Sequence, residues 1–159
     1  MLDTPPAVAE EAVELWIKSY QGEVLGEAYF SRMAELASDP AEKEKLEVLV
    51  VLERCTKELL AHPMERLGIS TTPDPAIVEG VAALTDYDYQ KMIESLPSVT
   101  SEYLGCYARL RELVEERDAN VVNLLIAHEM ALELFARREI SGESESSLQP
   151  IRALPHVTF

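Results

Sequence analysis

The chain has 159 residues, 47% of them hydrophobic, which suits one folded domain over residues 1–159 with a core of useful size. Its 29 acidic and 14 basic side chains leave a net charge of -15, which argues against a nucleic-acid or anionic-membrane partner, since both require clustered Lys and Arg. Cys55 and Cys106 show no CxxC or metal-ribbon spacing and read as small core residues in a reducing compartment.

The N-terminal "MLDTPPAVAEEAVELW" is acidic and has no basic start or apolar core, so it does not read as a secretory signal. No apolar run approaches about 18 residues, so no membrane span is expected and the expected location is cytoplasmic. The first helix should start near Pro5-Pro6, capped by Thr4, and run to about Ala37. "SDP" at 38–40 ends it and starts a second helix, with Asp39 as N-cap and Pro40 as the first helical residue. A link this short makes the two helices antiparallel neighbours. The second helix should run to about Leu67, stopped by Gly68.

"ISTTPDP" then reads as a loop. "PAIVEGVAAL" and "DYDYQKMIESL" read as two short helices, the second capped by Asp86. Pro97 marks the start of a third long helix ending near Glu116. Asp118 can cap a fourth, about Ala119 to Ile140, stopped at Gly142. The tail, 142–159, begins polar and ends in the apolar "IRALPHVTF", which suits packing on the body or on a second subunit. No segment sustains a period-two strand pattern. The expected fold is all-α: four long helices over about 8–141, with short links inside each pair and a long crossover carrying short helices between them.

At about 100° per residue, Ala12, Trp16, Ser19, Glu23, Phe30, Ala34 and Ala37 form one stripe of the first helix. Glu27 and Tyr20 lie on one edge and Gly26 on the other, where it would admit a close neighbour. On the second helix, Glu53 falls inside the stripe of Leu46, Leu49, Leu60, Met64 and Leu67, with Thr56 one turn on and Lys57 on the far flank. On the fourth helix, His128 shares a face with Val121, Leu124, Leu125, Leu132 and Phe135, and Glu129 lies on the flank. The third helix offers Val99, Tyr103, Cys106, Leu110, Leu113 and Val114 as core, with Glu102 and Arg109 on its margin. Carboxylates buried without compensation cost several kcal/mol, so Glu23, Glu27 and Glu53 call for a cation at the centre. Two are available to the sequence: a metal ion, or Lys57 supported by a protonated His128.

Glu23 or Glu27 on the first helix, Glu53 on the second and "LIAHEMALELF" on the fourth give a pattern that resembles the ferritin-like superfamily, with its rubrerythrin-like and carboxylate-bridged di-iron proteins. The resemblance covers about residues 8–141. It implies a four-helix ferritin-like bundle in which two helices each carry Glu-x-x-His. Here the second helix reads Glu53-Arg-Cys-Thr56, and the fourth reads Leu125-Ile-Ala-His128, so each motif has lost a different member. The resemblance implies an oxidoreductase binding iron or manganese through Glu23, Glu27, Glu53, His128 and Glu129, acting on dioxygen or a small-molecule substrate. The alternative is a metal-free binding or assembly module, with the first helix and the tail as its expected dimer contact, in which Lys57 replaces the metal. A helical enzyme of the haem-oxygenase-like type is a third reading, ranked lower because of the short first link and long crossover.

Overall fold

Asp39 acts as its place before Pro40 demands: its side chain accepts hydrogen bonds from the Ala41 and Glu42 amides and opens a helix with proline in the first turn. The computed structural model describes the backbone of residues 6–159 and the side chains from residue 9 onward. The expected Thr4 cap and Pro5 lie outside the described residues. Helix α1 spans Pro6–Leu36 and α2 spans Pro40–Arg66. Gly68 closes α2 with φ 71°, and the Ile69 amide bonds back to the Met64 carbonyl. A left-handed residue at that place favours glycine. Gly142 ends a later helix the same way, at φ 82°.

The crossover holds one short helix, α3 (Pro75–Ala82), capped by Asp74. The second expected short helix does not exist as a separate element. It is the start of α4, Tyr89–Leu113, which passes through Pro97 without ending. Its cap is Asp88, whose carboxylate accepts from the Lys91 amide, and not Asp86. The physical reason is the continuous buried face of Met92, Ile93, Leu96, Thr100, Tyr107 and Leu110. Burying that face outweighs the one backbone hydrogen bond that proline removes. Helix α5 (Glu116–Ile140) begins ahead of the expected position. Asp118, expected as its cap, lies in its first turn and pairs with Arg66 of α2.

No strand occurs among the described residues. Helix α1 packs along α2 and α4 along α5; α1 also meets α4, and α2 meets α5. The four long helices therefore enclose a shared interior. Phe30, Leu49, Leu52, Ile93, Leu96 and Phe135 fill one end of it; Trp16, Leu60, Met64, Tyr107, Leu110 and Leu125 fill the other. Some positions depart from the expected stripes. Leu67 and Val99, expected in the core, are 46% and 44% exposed, while Tyr107 is buried.

By length and composition alone α5 could cross a membrane, a test that the core helix of a helical assembly also passes, and 50% of its apolar window is buried against the rest of the protein. The tail packs on the body. A 3-10 turn at Ser144–Ser146 leads to α6 (Gln149–Arg152), whose Ile151 is fully buried against the α1/α2/α5 end of the core.

Candidate metal centre

Between the two apolar ends lies a polar layer. Glu23, Glu53, Thr56, His128 and Glu129 are each at most 5% exposed. Helical periodicity puts them there: Glu23 follows Trp16 and Ser19 on the inward face of α1, and Glu53 and Thr56 follow Leu46 and Leu49 on α2. His128 and Glu129 lie between Leu125 and Leu132 on α5.

The imidazole of His128 sits at the middle. Its Nε2 is 3.5 Å from Glu53 Oε1 and 3.9 Å from Glu129 Oε1, and its Nδ1 is 3.8 Å from Glu23 Oε2. Donor atoms of Glu23, His128 and Glu129 lie within 4.8 Å of one another, a spacing that one metal ion can bridge. Glu23 Oε2 is buried and has no hydrogen-bond partner, and neither has the buried Tyr107 hydroxyl. Among the described residues, the acids of this layer have no Lys or Arg in ion-pair reach; His128 is their one basic neighbour.

The electrostatics follow from that isolation. Burial, then the neighbouring charges of Glu53 and Glu129, pushes the Glu23 carboxyl well above the usual range. Burial raises Glu129 to about 7, with Glu53 adding to the rise and His128 opposing it. For His128, burial would lower the pKa, but the charge and hydrogen bonding of Glu53, followed by Glu129, win and raise it. Burial also lifts Tyr103 to about 12, with Glu129 and Glu23 contributing.

Three groups singled out in the sequence, Glu27, Lys57 and Glu102, are not part of this layer. Glu27 turns to the α1/α2 edge, where Arg54 donates to one oxygen at 3.0 Å and Lys57 to the other. Burial raises its pKa, but the Lys57 and Arg54 hydrogen bonds outweigh this and hold it below the ordinary value. Lys57 pairs with Glu27 and with neither Glu23 nor Glu53. Glu102 points to the surface and pairs with Lys18 at 3.0 Å.

One residue was missed by sequence reasoning. Thr56 Oγ1 is 2.8 Å from His128 Nδ1 and 2.9 Å from Nε2 of His156, which arrives from the C-terminal tail. The tail is not a long helix, so no wheel could aim this ring. The available signal was Thr56 itself, a small residue at the motif's His position that leaves space for another group.

A cavity of about 240 Å³ opens beside the carboxylates, between α1 and α4. Glu23, Glu53 and Glu129 face it, and its walls are mostly apolar: Leu25, Phe30, Leu96, Val99, Leu132 and the ring of Tyr103. Two glycines make room for it. A Cβ at Gly22 would lie 2.6 Å from the Tyr103 hydroxyl, and one at Gly26 would overlap the Glu53 carboxylate. Comparison with family models, curated proteins and solved structures returned no match for this chain.

Proposed function

We propose that this protein is a ferritin-like carboxylate metalloprotein that binds iron or manganese between α1, α2 and α5 and acts as an oxidoreductase. The observation that carries the reading is the unpartnered Glu23 Oε2, buried beside two further buried carboxylates and an imidazole. An acid so placed needs either a proton or a cation, and a cation is the reading favoured here, since hard oxygen donors with one imidazole suit iron or manganese. Glu23, Glu53, His128 and Glu129 would hold the ion. Four donors serve one ion, whereas the symmetric two-ion set would need the His and Glu that Thr56 and Leu125 replace. The connectivity supports the ferritin-like assignment: short links within each helix pair and the long 67–88 crossover between them.

A bound ion of this kind supplies Lewis acidity and redox capacity. The chain supplies the rest. Thr56 holds the His128 ring, and the buried Leu125 and Trp16 help keep bulk water from the layer. The apolar cavity gives dioxygen or a small uncharged substrate a path to the carboxylates, whose own charge repels anions. The metal-free alternative with Lys57 at the centre is less favoured, because the Lys57 ammonium is engaged by Glu27. A homodimer would use the exposed Val13 and Ile17 of α1.

The test is elemental analysis of protein purified without chelator, together with the Glu53→Ala and His128→Ala variants. The expected result is stoichiometric iron or manganese in the wild type and its loss from both variants. Wild-type protein that stays metal-free when offered ferrous or manganous ion would overturn the reading in favour of an assembly module.

A further inference from the structure

The hydrogen bonds around Thr56 constrain one another. A threonine hydroxyl has a single hydrogen, yet Oγ1 lies between two imidazole nitrogens, His128 Nδ1 at 2.8 Å and His156 Nε2 at 2.9 Å. It can donate to at most one of the two rings. When it donates to one and accepts from the other, the chain His156–Thr56–His128 has two polarities, and each fixes the tautomer of both neutral rings. Thr56 is fully buried and His128 is 1% exposed, so water cannot take over either bond. The tail is anchored to hold the arrangement: Ile151 is fully buried, Leu154 is 9% exposed, and Val157 packs on the core next to His156.

We propose that His156 is a positioning residue of the metal centre, acting through Thr56 to set which nitrogen of His128 is free for a cation. The proposal rests on the metal-binding reading above. In the metal-free protein, once the His128 ring is neutral, Nε2 is the nitrogen that keeps the proton, because it faces Glu53 at 3.5 Å. Its Nδ1 then accepts from Thr56, which accepts from His156 Nε2–H. If His128 Nε2 were given up to a cation, it would lose that proton and the chain would take the other polarity. His128 Nδ1–H now donates to Thr56, and Thr56 donates to His156 Nε2. His156 must then carry its proton on Nδ1, an atom that is buried and without a partner. The protons balance: one leaves His128 Nε2 and one is taken up at His156 Nδ1, so both rings stay neutral. Groups that orient a metal-bound histidine through its second nitrogen commonly govern affinity; here that group is carried by the C-terminal segment.

The experiment uses the full chain with ¹⁵N-labelled histidine. Long-range ¹H–¹⁵N NMR reads ring tautomers, Zn(II) serves as the diamagnetic probe ion, and the exposed His62 is the internal control. Zn(II) should move His128 to the Nδ1–H form and, in the same titration, His156 from Nε2–H to Nδ1–H. Thr56→Val should abolish the response at His156. His156→Phe should weaken Zn(II) binding about 10- to 100-fold, the range typical of such orienting partners, and His156→Gln, which keeps a donor and an acceptor, should restore much of it. A His156 tautomer unmoved while His128 responds overturns the proposal and leaves the metal centre standing. A His128 signal blind to Zn(II) overturns both. In metal-free protein, an unchanged His128 tautomer in Thr56→Val overturns the proposal independently of any metal.

Discussion

The protein turns acids inward at two levels of the same helix assembly, half-buried at one and fully buried at the other, and treats them differently. Towards one end, Glu139 of α5 meets Lys45 of α2 at 2.5 Å and accepts from the Tyr89 hydroxyl at 3.1 Å, and Tyr87 donates to Glu42 alongside. Every acid there has a donor. In the middle layer, Glu23, Glu53 and Glu129 share one imidazole, and an oxygen of Glu23 has no partner. The chain can therefore place a lysine against a half-buried acid when the fold requires one. Around Glu23 it places none among the described residues, and the metal-binding proposal rests on that contrast.

The largest expected effect comes from breaking the satisfied end. Lys45→Met leaves the half-buried Glu139 without its cation and should cost about 2 kcal/mol in chemical denaturation. The same kind of change in the middle should act in the opposite direction. Glu129→Gln removes a charge from a crowded, uncompensated layer and should stabilise metal-free protein by about 1 kcal/mol, while weakening manganese binding measured by calorimetry. If both substitutions destabilise the metal-free protein equally, the contrast between the two levels fails.

Acidity sharpens the comparison further. Folded-state pKa values of Glu23, Glu129 and His128 are all raised, so the native protein holds more protons than the unfolded chain in the neutral range. Linkage then requires stability to fall as pH rises through these values. For His156, lowered to about 4 mainly by burial, the opposing effect is complete above its unfolded value near 6.5. From about pH 6.5 to 8 the melting temperature of metal-free protein should therefore decrease. The rise in melting temperature produced by manganese should grow over the same range, since metal and proton compete for the same atoms. A metal-free melting temperature that climbs with pH would contradict the assignment. The smallest effect belongs to the surface: Glu102→Gln breaks an exposed pair with Lys18 and should change stability by less than about 0.5 kcal/mol, with no change in metal content.

Much of this was legible in the sequence because it follows from helical period. Trp16, Ser19, Glu23 and Phe30, or Leu46, Leu49, Glu53 and Thr56, need only a 100° step to fall on one face, and all are buried. Caps at Asp39 and stops at Gly68 and Gly142 are equally local. What period could not give was anything decided between elements. Glu27 is only a few tens of degrees from Glu23 on a wheel, but the cations of α2 draw it to the edge. Pro97 looks like a boundary until the burial of Met92 and Ile93 is weighed against one lost hydrogen bond. His156 follows the short helix α6, and its place depends on how Ile151 and Leu154 pack on the body, which no period within the tail specifies.

Gly22 and Gly26 carry a consequence for anyone who selects or designs variants of this chain. Alanine at either position would gain about 1 kcal/mol of helix propensity, which a screen for heat resistance would register wherever the neighbouring side chain can give way. The same methyl group would push against Tyr103 or displace the Glu53 carboxylate. Thermal selection and chemical function therefore pull these two positions in opposite directions, and a more robust protein obtained this way would be one whose centre has been dismantled from the side of α1.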